Sequence, residues 1–220
     1  MKPQTLQKTA LALLVGWYAA NAAAYSEQGQ VGNTKSWESA EYLKDWGLTS
    51  MNASTAYALG FNGSGVKIGV MDSGVLLNHP EFQDGRIHVV KTEGTYSKDG
   101  MRYPDASVGN GPINKNEPVK NGKRNFDKTD NGIFTKGEAF NIDGAWHKYT
   151  NDAHGTHVGG TMAASRDGNE MHGVAFGANL YSANTGGNDN MTYGPNQDYS
   201  FFLQGYSALA DAGAKVINNS

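Results

Sequence analysis

The chain contains no cysteine. That absence removes disulfide scaffolds and every thiolate-based metal site or nucleophile from consideration. Nor is there a basic excess. The 21 acidic residues outweigh the 18 basic ones and leave a formal charge of −3, which argues against a nucleic-acid or other polyanionic partner. Proline is scarce, at six residues, and no apolar run approaches the roughly 18 residues that a membrane-spanning helix requires. What the chain has in quantity is glycine. The 29 glycines among 220 residues are nearly twice the usual share of about 7%, and they predict many turns and close backbone approaches. The length fits one domain of ordinary size.

The first 24 residues read as a secretory signal. Lys2 and Lys8 supply a positive start, Ala10-Leu11-Ala12-Leu13-Leu14-Val15 an apolar core, and Ala20-Asn21-Ala22 and Ala22-Ala23-Ala24 small-residue cleavage patterns. Lack of cysteine does not conflict with export, because a chain of this length buries enough surface to fold without staples.

Beyond the signal, periodicity predicts a helix over 36–46, capped by Ser36 and stopped by Gly47. A second helix over 51–59 should end at Gly60, before a β-branched strand over 66–71. A further unit should run from a small-residue helix over 158–165 to strands at 179–183 and 215–219. Between those strands an amphipathic helix over 201–212 carries Phe202, Tyr206, Leu209 and Ala210 as its apolar stripe. Alternating strands and helices imply an α/β architecture, a mainly parallel sheet covered on both faces. Residues 91–150 differ in texture. They are rich in Gly, Asn, Lys and Asp, but Tyr96, Phe126, Phe134, Phe140 and Trp146 are too many aromatics for a disordered tether. The stretch reads as a partly ordered surface insertion.

Two places carry chemistry. In Gly69-Val70-Met71-Asp72-Ser73-Gly74, an acid stands at the C-terminal end of a buried strand, where parallel sheets bind ligands. In Asn151-Asp152-Ala153-His154-Gly155-Thr156-His157-Val158-Gly159-Gly160-Thr161, a loop turns into a helix at the histidines. A helix N-terminus disfavours imidazolium, and a neutral imidazole is what a general base must be. His154 is therefore the candidate base, and His157, a turn inside, is read as a buried structural histidine. The i, i+3 spacing without an intervening glutamate is a poor match to helical zinc ligands. His147 and His172 add no metal pattern, and no metal residues are assigned.

The segments Val66–Gly74, His154–Thr161, Gly173–Ala183 and Val216–Ser220 resemble successive blocks of subtilisin-like serine proteases, the subtilase or S8 peptidase family. The family motifs read D-S/T-G, H-G-T-H-V-A-G, G-V-A-P and V-I-N-x-S. Ala24-Tyr25 through Trp37, with Asp45-Trp46-Gly47-Leu48 and Gly65-Val66, further resembles a secreted Gram-negative branch in which the protease is an autotransporter passenger. The resemblance implies a three-layer α/β fold and serine endopeptidase chemistry on polypeptide substrates. It implies Asp72 as the acid of a catalytic triad and His154 as its base. Ser220 would be the first residue of the segment whose backbone lines the pocket for the side chain before the cut. No cofactor is implied for catalysis. Structural calcium is, with oxygen-rich stretches at 127–130 and Asn188-Asp189-Asn190, though neither matches a complete calcium loop. A C-terminal outer-membrane barrel is the expected partner domain, with export through a Gram-negative periplasm to the cell surface or medium.

Departures from the family pattern are Gly159-Gly160 for Ala-Gly, Phe176 for Pro, and the 82 positions between Asp72 and His154. None of the fourteen serines stands in the family's nucleophile context, G-T-S-M-A. Residues 25–220 are therefore expected to be the N-terminal part of a peptidase domain, cut at residue 220. By itself such a piece would be inactive and prone to aggregate through an exposed strand edge. Two other readings of the same residues stay open: a secreted pseudo-protease that uses the cleft for binding, and a metal-dependent hydrolase using His154, His157 and a carboxylate.

Overall fold

The computed structural model describes residues 29–101, 133–146, 153–184 and 198–220. The signal segment 1–24, His147 and the oxygen-rich stretches at 127–130 and 188–190 lie outside the described residues. Among those described, no helix is long and apolar enough to cross a membrane.

A 3₁₀ turn at Thr34–Trp37 leads into three short helices, α1 (Ala40–Lys44), α2 (Trp46–Ser50) and α3 (Ala53–Ala58). Strand β1 (Lys67–Asp72) follows, then a 3₁₀ turn at Pro80–Phe82 and strands β2 (Ile87–Val89), β3 (Lys91–Thr95), β4 (Gly100–Met101), β5 (Ile133–Phe134) and β6 (Ala139–Asp143). The remaining elements are α4 (His154–Ala163), β7 (Asn179–Asn184), α5 (Ser200–Asp211) and β8 (Val216–Asn218).

The helix expected over 36–46 is broken in two, and the physical reason is local capping. Ser39 Oγ accepts the Tyr42 N–H at 3.2 Å and starts α1, and Asp45 Oδ1 accepts the Gly47 N–H at 2.8 Å and starts α2 straight through the residue expected to stop it. Ser36 caps no α-helix; its hydroxyl donates to Asn33 O at 2.6 Å. Trp37, Tyr42, Leu48 and Tyr57 pack together with Val174 and Phe176, so these helices form a small cluster of their own.

The main sheet is four-stranded and parallel, in the order β2-β7-β1-β8. From Ile68 onward every residue of β1 is buried, as a parallel strand covered on both faces requires. Successive side chains go to opposite faces. Ile68, Val70 and Leu180 meet Val158, Met162 and Ala163 of α4 on one side. Met71 and Ala183 meet Phe201 and Leu209 of α5 on the other. The result is three layers, helix, sheet and helix. On α5 the buried stripe is Phe201, Gly205 and Leu209, about one position round from the expected Phe202 and Tyr206, which are only partly covered. Gly205 lies against Met71 and sets which face of the helix turns inward.

The stretch read as an insertion over 91–150 is anchored in the core at both ends. β3 and β6 pair antiparallel from Lys91↔Asp143 to Thr95↔Ala139. Tyr96, Phe140 and Ile142 are buried in the same cluster as α5. The description as surface therefore fails at these ends: the polar composition hides an alternation that sends Phe140 and Ile142 inward. Backbone bonds from Val90 N to Ser182 O and from Gly144 N to Val90 O, both 2.9 Å, tie this hairpin to β7.

Candidate active site

Asp72 is the last residue of β1 and is paired in register with Asn184 at the end of β7. Only 5% of it is exposed. The chain must turn sharply immediately afterwards, and Gly74, at φ +89°, makes that turn in the left-handed region. A Cβ there would run into the backbone of Ala145 and come within 2.7 Å of Asn184 Nδ2. The turn is held by the end of the hairpin: Val75 N donates to Gly144 O at 3.1 Å and Trp146 N to Val75 O at 2.8 Å. Asn184 Nδ2 donates to Ala145 O at 2.8 Å.

Helix α4 begins at His154, and its N-terminus is brought down onto this turn. Gly155 makes the approach feasible, since a Cβ at that position would lie 2.6 Å from Gly74 O and 3.0 Å from Asp72 Oδ1. Its N-cap residue, Ala153, has no side chain to accept an orphan N–H. The acceptor comes instead from the β1 turn, where Ser73 Oγ takes the Gly155 N–H at 2.9 Å. In return, Thr156 Oγ1 accepts the Leu76 N–H at 3.0 Å. Strand end and helix start are thus stitched in both directions.

The consequence is that Asp72 and His154, 82 positions apart, meet. His154 Nδ1 lies 2.9 Å from Asp72 Oδ1 and 3.0 Å from Oδ2. Oδ1 also accepts the Ser73 N–H at 2.7 Å. The carboxylate is sealed while the imidazole side chain keeps 52% of its surface exposed. An ionised carboxylate only accepts hydrogen bonds, so Nδ1 is the protonated ring nitrogen and Nε2 carries the lone pair.

The other residues singled out from the sequence fall as follows. Ser220 lies two residues past β8, its Oγ 3.5 Å from Asp72 Oδ2 and 3.2 Å from Asn218 Nδ2. His157 is not buried. It sits on the exposed side of α4, because the inward positions of that helix are Gly155, Gly159 and Ala163. Among the described residues the buried histidine is His172, packed at tilted and edge-on angles against Tyr42, Tyr57 and Phe176, and burial lowers its pKa. Among the described residues, no three His, Asp or Glu side chains gather so as to hold a metal ion. Ser73, Thr156 and Asn184 were not anticipated. The signal for Ser73 lies in plain view, between the candidate acid Asp72 and the turn glycine Gly74.

Comparison with known proteins bears on the whole arrangement. The profile of the Subtilase family matches residues 63–220. The chain belongs to the subtilase family. Within it, an extracellular serine protease of Serratia marcescens is 33% identical over 97% of this chain, and a second such protease from that organism matches to the same extent. Bacillopeptidase F of Bacillus subtilis is 31% identical over 61% of the chain. The chain spans only 15% of the length of the Serratia relatives. The parallel three-layer architecture described above is the fold expected of a subtilase.

Proposed function

We propose that this chain carries the acid–base half of a serine endopeptidase, with His154 as general base, Asp72 as the carboxylate that orients it, and polypeptides as substrate. The observation that carries the reading is the pair of contacts, 2.9 and 3.0 Å, between His154 Nδ1 and the Asp72 carboxylate. Nε2 takes the hydroxyl proton of a serine as its Oγ bonds to the peptide carbonyl carbon. The imidazolium so formed, stabilised by Asp72, gives that proton to the departing amine nitrogen as the C–N bond breaks. Water then loses a proton to the same nitrogen as its oxygen bonds to the acyl carbon, and Nε2 returns that proton to the serine oxygen as the ester C–O bond breaks, restoring the free enzyme. Asp72 takes no proton in this cycle.

Because no serine here stands in the G-T-S-M-A context, the nucleophile is assigned to sequence outside these 220 residues. Ser220 is assigned to the start of the segment lining the pocket for the residue before the cut. Export is part of the proposal. It rests on the signal pattern of residues 1–24 and on relatives named as extracellular proteases, and the outer-membrane barrel would likewise lie outside these residues.

The test uses the full-length parent protein and a peptide substrate. Asp72→Asn should lower kcat/KM by about 10⁴-fold, and His154→Ala by at least as much, as in other enzymes with this triad. A serine-directed organophosphonate should abolish activity. Hydrolysis that survives both substitutions and the phosphonate overturns the proposal.

A further inference from the structure

Ser182 and Asn184 break the pattern of the strand that carries them. β7 lies inside the sheet, between β2 and β1, where both faces of a parallel strand are covered and aliphatic side chains are the rule. On the face turned towards α4, Leu180 obeys that rule, but the next two positions are polar and wholly buried. A buried hydroxyl or amide is costly unless it is bonded. Both are bonded, and to the same short segment. Ser182 Oγ donates to Gly144 O at 2.8 Å, and Asn184 Nδ2 donates to the next carbonyl, Ala145 O, also at 2.8 Å. Glycine is required at 144, since a Cβ there would run into the Ser182 carbonyl oxygen.

The segment gripped in this way holds the turn that follows Asp72. Ala145 makes a parallel bridge with Val75, framed by Val75 N donating to Gly144 O and Trp146 N donating to Val75 O. Val75 follows Gly74, and Gly155, the residue after His154, rests on Gly74. Asn184 reaches this turn by two routes. One runs through Ala145; the other is direct, because a Cβ on Gly74 would lie 2.7 Å from the Asn184 amide nitrogen. Asn184 is also the in-register neighbour of Asp72 across β7 and β1.

We propose that Asn184 is a positioning residue: by fixing Ala145 against Val75 it sets the angle at which the Asp72 turn meets His154. Ser182 is its weaker companion, because Gly144 O keeps the Val75 N–H when that hydroxyl is removed. The inference rests on the peptidase reading above and adds a residue that the reading does not itself use.

The test uses the full-length parent protein with two substitutions at one site. Asn184→Leu keeps most of the volume and removes the donor, while Asn184→Ala removes it with no added bulk. With a peptide substrate, either should lower kcat by about 10- to 100-fold and leave KM within about twofold, since the pair shifts and the substrate-binding surfaces do not. Tyr57→Phe gives up a 2.8 Å bond to Val174 O in the separate N-terminal cluster. As a matched loss of one buried hydrogen bond it should leave kcat as it is. In an Asp72→Asn background the Asn184 substitutions should cost less than about threefold more, because the group they misplace is already gone. Amide exchange at Val75 and Trp146, read by mass spectrometry, should quicken by about tenfold in the Asn184 variants. Exchange needs no turnover. Faster exchange in a protein whose hydrolysis ignores Asp72→Asn and His154→Ala upholds the positioning and sinks only the peptidase reading. Unchanged kcat in folded Asn184 variants, unchanged exchange, or the full loss repeated in the Asp72→Asn background overturns the role of Asn184 and leaves that reading standing.

Discussion

The two ends of α4 each rest on a buried acid, and the acids are treated oppositely. At the N-terminal end Asp72 is 5% exposed, and both of its oxygens have donors: the Ser73 N–H, the His154 imidazole and, at longer range, the Ser220 hydroxyl. At the C-terminal end Glu81 is 7% exposed, yet Oε2 has no partner. Its backbone is well used, since Glu81 O accepts both the N–H and the hydroxyl of Ser165. Around its side chain stand more acids. Burial, reinforced by Asp167, Glu41 and Glu170 and opposed by Lys44, pushes the Glu81 carboxyl up to about 7. Neighbouring Glu41 is also raised by burial, but accepts the N–H groups of Asp167 and Gly168 at 3.1 Å. Depth of burial is the same at the two ends; the supply of donors differs. A strand end that meets a helix start has spare N–H groups to offer its carboxylate, whereas at the other end the N–H groups of Asp167 and Gly168 go to Glu41 and that of Ser165 to the Glu81 backbone, and there the macrodipole is negative as well.

The largest break in that comparison should come from Gly155→Ala in the parent protein. The added methyl would lie 2.6 Å from Gly74 O and 2.9 Å from Gly74 N, backbone atoms that cannot rotate aside. The helix start must lift, and His154 moves off Asp72. A displacement of about 1 Å costs on the order of 10²-fold in rate, and overpacking costs about 1–3 kcal/mol of stability. The same substitution at Gly160, where there is room, should cost neither stability nor fold. Steady-state kinetics and thermal melts of the two variants settle the matter; equal rates for Gly155→Ala and the wild type would mean the close approach does not position the imidazole.

At the other end the sign reverses. A carboxyl whose folded pKa is about 7 and whose ordinary value is 4.5 binds more protons folded than unfolded across that window. Its contribution to stability is therefore fully present in acid and is lost as pH rises from about 4.5 to 7. Glu81→Gln removes the ionisation while keeping the shape. The variant should match the wild type near pH 4.5 and exceed it by about 1–2 kcal/mol at pH 8, less than the full linkage value because the amide stays incompletely paired. Denaturant melts across pH 4.5–8 measure the difference. A variant less stable than the wild type at pH 8 would mean that the ionised carboxylate has a donor after all.

What could be read in advance follows the same division. The sheet centre was legible, because β1 is buried from Ile68 onward and announces itself as a short apolar run, and β7 follows the Gly-Val-Ala block with Leu180 and Tyr181 at its centre; the expected strands at 66–71 and 179–183 miss the observed bounds by a residue. The meeting of Asp72 with His154 could be anticipated from two short motifs whose residue types have few other uses together. The β3–β6 pair could not, because Lys91–Thr95 and Ala139–Asp143 are polar segments whose inward residues, Thr92, Phe140 and Ile142, make a pattern only when set side by side. His157 was misread because a small-residue helix gives no moment from which to orient its faces. Glu81 escaped notice since nothing in His79-Pro80-Glu81-Phe82 tells that the acid will be covered. Motifs report local chemistry, and burial of a turn is decided by what folds over it.

The smallest effect expected separates geometry from charge at the active-site end. Ser73 Oγ is the acceptor for the Gly155 N–H, in the place an N-cap side chain would fill if residue 153 were not alanine. Ser73→Ala leaves that N–H buried and unpaired but retains the backbone N–H that bonds Asp72. The loss should be about 1–2 kcal/mol, seen as a fall in Tm of about 2–4 °C per kcal/mol for a domain of this size. Neither the hydroxyl nor the amide titrates in the neutral range, so this loss should be flat from pH 5 to 8, in contrast to the sloping gain of Glu81→Gln. Because Asp72 still holds the imidazole, kcat/KM should fall only a few-fold. A loss of stability that varies with pH would show that Ser73 acts through the Asp72–His154 pair and is not simply the cap of α4.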